Sequence, residues 1–209
     1  MKPATVNRFL QTVVQHGKFY HYGVPTTPAR EDIIRFLHIL FHLHPNNTCQ
    51  LSHIEPLRRI YGGSLEASDL RILSIFQLFE TTRRVSVASL LSQWSSSWDI
   101  TSDNALDALL SLDSSRVLKT CLEFPDRRML SSDTTEPWSS GNPLYDPVFI
   151  LLLLSQTEEA PASALVWVQF FRTNVASFVL RSLSAKDSQL RELAWGQVAS
   201  LCRALEVRI

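Results

Sequence analysis

Residues 27–43 read TPAREDIIRFLHILFHL, and their spacing decides the fold class. Ile33, Leu37 and Leu40, with Ile34 and Phe41, recur at intervals of three and four, the period of one helix face. Thr27-Pro28 predicts the start: a hydroxyl cap, then proline at the first helical position. Glu31 and Asp32 follow in the early turns, where the helix dipole favours anions, and Pro45 marks the end. The same period runs outward in both directions. Val6, Leu10, Val13 and Val14 form a stripe before Gly17. A helix is predicted over Leu51–Tyr61, closed by Gly62-Gly63, and Ser68-Asp69 opens the next, with Leu70, Leu73, Phe76, Leu78 and Phe79 as its apolar set. Shorter helices are predicted over Val87–Trp94, Asn104–Leu112 and Ser114–Leu122, the last with Asp113-Ser114 placed to cap it.

Asp146-Pro147 starts a run that is apolar on every side through Leu154, which predicts a helix at the centre of the core. Val166–Leu183 reads as one long amphipathic helix, and Ser184–Leu205 as a turn followed by another. No Asn-Gly or Asp-Gly pair signals a hairpin. The expectation is an all-α fold, an irregular α-solenoid of HEAT or armadillo type with about nine or ten helices. It is expected to form one helical-repeat segment over 1–209. A proline- and serine-rich flexible loop at 125–145 separates 1–124 from 146–209.

Composition narrows the function classes. The 209 residues carry 20 Lys/Arg and 20 Asp/Glu, so the formal net charge is zero, which disfavours a wholly basic nucleic-acid binder. Charge is uneven, however. Residues 1–60 hold seven cations against three anions, 61–160 seven against fourteen, and 161–209 six against three. Cys49, Cys121 and Cys202 are odd in number and far apart, which predicts a reducing compartment. The longest apolar run, Val148–Leu154, falls far short of the roughly 20 residues that cross a bilayer, and Met1-Lys2-Pro3 leads into no signal-type apolar region, so no membrane association is expected.

Few residues carry the signature of a chemical site. His38 and His42 are four apart, with His44, Cys49 and His53 following, but residue 39 is Ile39, so the zincin pattern is missing and histidines capping a helix end are the plainer reading. No nucleophile elbow and no phosphate-binding glycine loop occurs. The expectation is no catalysis, metal, cofactor or small-molecule substrate. Three arginine doublets stand out: Arg58-Arg59, Arg83-Arg84 and Arg127-Arg128. Each falls near a predicted helix end, where arginine is favourable for structural reasons, yet on one side of a solenoid they would form a strip for a phosphate backbone. These six are the candidate RNA- or partner-binding residues. Trp94, Trp98 and Trp138 fall beside polar loops, where a tryptophan can anchor a partner.

Four phrases in order carry a family resemblance. Tyr61-Gly62-Gly63-Ser64-Leu65 leads through Ser68-Asp69 and Ile72-Leu73 to Phe79-Glu80. Asp113-x-x-Arg116 is followed by Lys119-Thr120 and Phe124-Pro125-x-Arg127. Leu144-Tyr145-Asp146-Pro147-x-Phe149 forms the third, and Leu183-Ser184-x-x-Asp187 with Leu190-Arg191 and Ala194 the fourth. Together, over roughly residues 55–205, they resemble the C-terminal region of the nucleolar pre-ribosomal-associated protein family, and the serine-rich stretch Ser131–Asn142 matches none of it. The resemblance implies a fragment or short isoform of a very large helical-repeat protein. It implies a non-catalytic scaffold in the nucleolus and nucleus, acting in large-subunit (60S) biogenesis and pre-rRNA maturation. The partners it implies are ribosome assembly factors, among them a DEAD-box helicase module, and precursor rRNA. A general HEAT-type protein–protein adaptor without RNA is the alternative.

Overall fold

The computed structural model describes residues 1–24, 27–97, 102–130, 144–157 and 163–206. Among these residues the fold is all-α, with thirteen α-helices, one 3-10 turn and no strand. The helices are α1 Pro3–Val14, α2 Phe19–Gly23, α3 Arg30–Leu43, α4 Pro45–Thr48, α5 Ile54–Ile60, α6 Ala67–Arg83 and α7 Val87–Leu91. They continue with α8 Ala105–Leu110, α9 Ser114–Leu122, α10 Pro147–Leu154, α11 Ala164–Arg172, α12 Val175–Ser182 and α13 Ser188–Glu206. The 3-10 turn, Leu51–His53, precedes α5.

Thirteen exceeds the expected nine or ten for two reasons. The short α2 and α4 span five and four residues, too few to show a period. The stretch Val166–Leu183 is two helices rather than one, because Asn174 adopts φ 63° and breaks the run. Asparagine tolerates that left-handed conformation better than most residues. Its side-chain amide also donates to the Ser114 carbonyl at 3.1 Å, tying the break to the start of α9.

Helix starts follow the sequence in part. Asn104, Asp113 and Asp146 accept backbone N–H groups at the starts of α8, α9 and α10. Thr27 does not cap α3. That helix begins at Arg30, and the Thr27 hydroxyl donates to the His21 carbonyl instead. Asp69 likewise leaves the start of α6 uncapped and folds back onto the turn before it, accepting the N–H groups of Gly62 and Ser64, each at 2.9 Å.

In the first half, helices stack roughly in chain order: α1 on α3, α3 on α6, and α6 on α7. In the second, α12 packs on α9, α11 and α13. α10 passes between the two groups, touching α7 and α8 on one side and α12 and α13 on the other. Seven of its eight residues are buried, as an all-apolar helix requires. Phe149 is the centre of this packing, with the rings of Tyr61, Trp94 and Tyr145 within 4.9–6.1 Å of its own. The stretches 1–124 and 146–209 thus share one core cluster. Of the 125–145 loop, residues 131–143 lie outside the described residues. Its described flanks are anchored, with Phe124, Pro125, Arg128, Leu144 and Tyr145 all buried.

Candidate functional site

The six candidate arginines have different fates. Arg128 is buried and grips Asp146 with two hydrogen bonds, Nε to Oδ1 at 3.0 Å and Nη2 to Oδ2 at 2.9 Å. Arg83 donates to the carbonyls of Cys49 at 2.7 Å and Asn46 at 3.0 Å, closing the end of α4. Both are used internally. Arg58 is half-buried on α5, and burial lowers its guanidinium below its ordinary value. Arg59 pairs with Glu55 at 2.5 Å and lies 5.4 Å from the Tyr20 ring centre. Arg84, at φ 57°, and Arg127 are exposed and form no ion pair among the described residues.

The histidines serve separate roles. His42 meets the His38 carbonyl, His44 the Met1 carbonyl and His53 the Thr48 carbonyl, at 2.8, 2.8 and 3.0 Å. Among the described residues no three His, Cys, Asp or Glu side chains gather as metal ligands. Trp94 is buried and donates its indole N–H to the Tyr61 carbonyl at 2.7 Å, while Trp98 and Trp138 lie outside the described residues.

Two buried carboxylates organise the middle of the molecule. Asp69, 1% exposed, takes four donors: the N–H groups of Gly62 and Ser64, the Ser64 hydroxyl at 2.5 Å, and Arg30 at 2.5 Å. Arg30 also donates to the carbonyls of Gly23 and Ile60, so one guanidinium joins α2, α5 and α6. Asp146 does the same on the other side, holding Arg128 and the Val148 N–H at 3.0 Å. The two turns then meet. The Asp146 N–H donates to the Gly63 carbonyl at 2.8 Å, and the Leu65 N–H to the Leu144 carbonyl at 3.1 Å. Gly63 has φ 63°, and a Cβ there would collide with the Phe149 ring, so only glycine fits.

A cavity of about 370 Å³ opens beside this junction. Arg59 and Tyr61 come from the end of α5, Trp94 and Ser95 from the segment after α7, Arg116 from α9, and Tyr145 from the turn before α10. The Arg116 guanidinium lies 4.0 Å from the Tyr145 ring centre and 3.4 Å from the Leu144 carbonyl. Burial, with the nearby carboxylates of Asp146 and Asp69, pushes the Tyr61 phenol well above its ordinary range. Arg116 belongs to no doublet. Only the Asp-x-x-Arg phrase singled it out, and nothing local announced that it faces Arg59 across a cleft.

Comparison with known proteins gives two relatives. Nucleolar pre-ribosomal-associated protein 1 of Homo sapiens is 25% identical over 205 residues, covering 87% of this chain and 9% of that protein. The Mus musculus protein of the same name is 26% identical over 207 residues, with the same coverages. This chain is homologous to nucleolar pre-ribosomal-associated protein 1. It spans about 9% of the length of the curated relatives it matches. No protein-family model and no solved structure matches it.

The four phrases that carry the resemblance have internal roles in this fold. All four fold onto or next to the central junction. The first supplies Gly63 and Asp69. The second supplies Thr120, whose hydroxyl accepts the Tyr145 N–H at 3.0 Å. The third supplies Tyr145, Asp146 and Phe149. The fourth supplies Asp187, which accepts the Leu130 N–H at 2.6 Å, and the Lys186 N–H next to it donates to the Asp126 carbonyl at 2.8 Å. Residues of all four phrases therefore hold helices together.

Proposed function

We propose that the chain is a non-catalytic helical scaffold segment acting in nucleolar ribosome biogenesis, in maturation of the large (60S) subunit and its precursor rRNA. The observation that carries this reading is homology along 87% of the chain to a protein named as nucleolar and pre-ribosome-associated. The internal use of the four phrases supports a structural rather than chemical role for them. Stacked helices offer a long surface for assembly factors, a DEAD-box helicase module among them. RNA contact belongs to the same reading through the exposed Arg84 and Arg127, because Arg83 and Arg128 are committed to internal partners.

A tagged pull-down of the chain from nuclear extract, probed for precursor rRNA and large-subunit assembly factors, tests the reading. Recovery of assembly factors is expected. Recovery of neither class by folded protein would overturn it. Arg84→Glu with Arg127→Glu should weaken RNA recovery and flatten its salt dependence. RNA recovery that ignores both charge reversals removes the RNA contact and leaves the HEAT-type adaptor reading.

A further inference from the structure

We propose that Ser86, in the link between α6 and α7, is a phosphorylation site for a protein kinase that selects basic substrates. The link reads Arg83-Arg84-Val85-Ser86-Val87. Arginines three and two residues before a serine suit a kinase groove lined with carboxylates, and the apolar residue after the serine suits the pocket that follows. Of the three arginine doublets only this one has a serine at that spacing; the others place Tyr61 and Leu130 there. Ser86 is exposed, and its Oγ accepts the Ser89 N–H at 3.1 Å while its own proton meets no acceptor among the described residues. The Arg84 guanidinium is exposed as well, with neither hydrogen bond nor ion pair among the described residues. Two other described serines follow an arginine by three, and the fold withholds both. Ser74 lies within α6, its Oγ 3.4 Å from the His38 Nε2. The Ser184 hydroxyl donates to the Arg181 carbonyl at 2.8 Å and accepts from the guanidinium of the same arginine at 3.1 Å.

A kinase holds its substrate extended, so the link must be able to leave its helices. Ser86 is extended already, at φ −63° and ψ 141°. Arg84 sits at φ 57°, a conformation costly for any residue with a Cβ, and opening the link relieves it. α7 is five residues long, too short to persist as an isolated helix. Against opening stand the bonds of Arg83 to the Cys49 and Asn46 carbonyls and the burial of Val87. These contacts belong to one turn at each helix end, and local opening of helix ends needs far less than global unfolding. In the reaction the Ser86 Oγ bonds to the γ-phosphorus of ATP. The bond from that phosphorus to the bridging β-phosphate oxygen breaks, ADP leaves with the electron pair, and the hydroxyl proton passes to the kinase's carboxylate base. The product carries about −1.5 to −2 charge at pH 7, which cancels most of the charge of the arginine doublet beside it. The site stands apart from the function proposed above. Its consequence, a weaker hold on RNA, rests on the Arg84 contact in that reading.

The test is incubation of the full chain with ATP and the catalytic subunit of cyclic-AMP-dependent protein kinase, with modified residues mapped by mass spectrometry. Phosphate on Ser86 of the folded wild-type chain is expected, and none there in Ser86→Ala. Arg84→Gln should lower kcat/KM about tenfold or more, the loss of one charge-assisted contact. A free peptide of residues 78–91 is the control for accessibility. Modification of the peptide but not of the folded chain would mean that the link stays closed, and would overturn the proposal. Modification that ignores Arg84→Gln, or that falls on other residues in place of Ser86, would overturn it equally. The wild-type map stands even if a variant fails to fold. Modified and unmodified chains are then compared in the nuclear pull-down, where the modified chain should recover less RNA. Equal recovery would overturn the consequence drawn for RNA. An unmodified Ser86 with a positive pull-down sinks the site and spares the scaffold reading.

Discussion

Asp69 and His53 are both buried, and they solve burial in opposite ways. Asp69 is met by Arg30 and three further donors. His53 has no charged partner among the described residues. Its Nδ1–H donates to the Thr48 carbonyl, while Nε2 is buried without a partner and the Phe41 ring lies 5.6 Å away. Burial lowers its pKa below the ordinary 6.5, with the Thr48 carbonyl opposing only in part. The sign follows: the unfolded chain takes up the proton first, so stability falls as pH drops below about 6.5 and levels off below the folded value. His53→Asn retains a donor toward Thr48 but does not titrate. Urea unfolding between pH 7.5 and 5 should show a shallower loss in that variant than in wild type. Identical slopes would exclude His53 as the source. At this scale the sequence was half legible. Arginine doublets were visible, but that Arg83 and Arg128 turn inward was not, because their acceptors lie 34 and 18 residues away.

Between elements, the informative position is the break separating α11 from α12. Hydrophobic period alone runs through it, since Trp167, Phe170, Phe178 and Val179 are all buried. What interrupts the helix is the left-handed Asn174, anchored to the Ser114 carbonyl of α9. Asn174→Ala should cost about 1–2 kcal/mol, the penalty for placing a Cβ-bearing residue without a side-chain compensation in that conformation. Asn174→Gly should cost less, because it relieves the backbone while losing the same hydrogen bond. Denaturant midpoints for the two variants check this. Alanine at or above the stability of glycine would mean that the two helices merge without harm. The caps at Asn104, Asp113 and Asp146 were readable because a cap is a local bond spanning two or three residues. Thr27 and Asp69 looked alike in sequence but serve distant groups.

For the whole molecule, α10 decides cooperativity. Helices before and after the 125–145 loop both pack against it, as α9 does against α12, and its Phe149 is fully buried among aromatic rings. Phe149→Ala should destabilise the chain by about 3–5 kcal/mol. The loss should be felt on both sides of the loop at once. Hydrogen exchange should show amides of α6 and of α12 losing protection together. Loss confined to one side, or two separate unfolding transitions in wild type, would mean that α10 does not unite them.

The sequence by itself determined the helical class, the all-apolar central helix and the family resemblance, because period, caps and ordered phrases are properties of neighbouring residues. Only the tertiary structure decided what those phrases do. Gly63 must approach Phe149, Asp146 must meet Gly63 and Arg128, and Arg59 must face Arg116 across a cavity. Each of these pairs is joined by packing through α10 and its flanks. Their chain separations of 18 to 86 residues leave no periodic trace along the sequence.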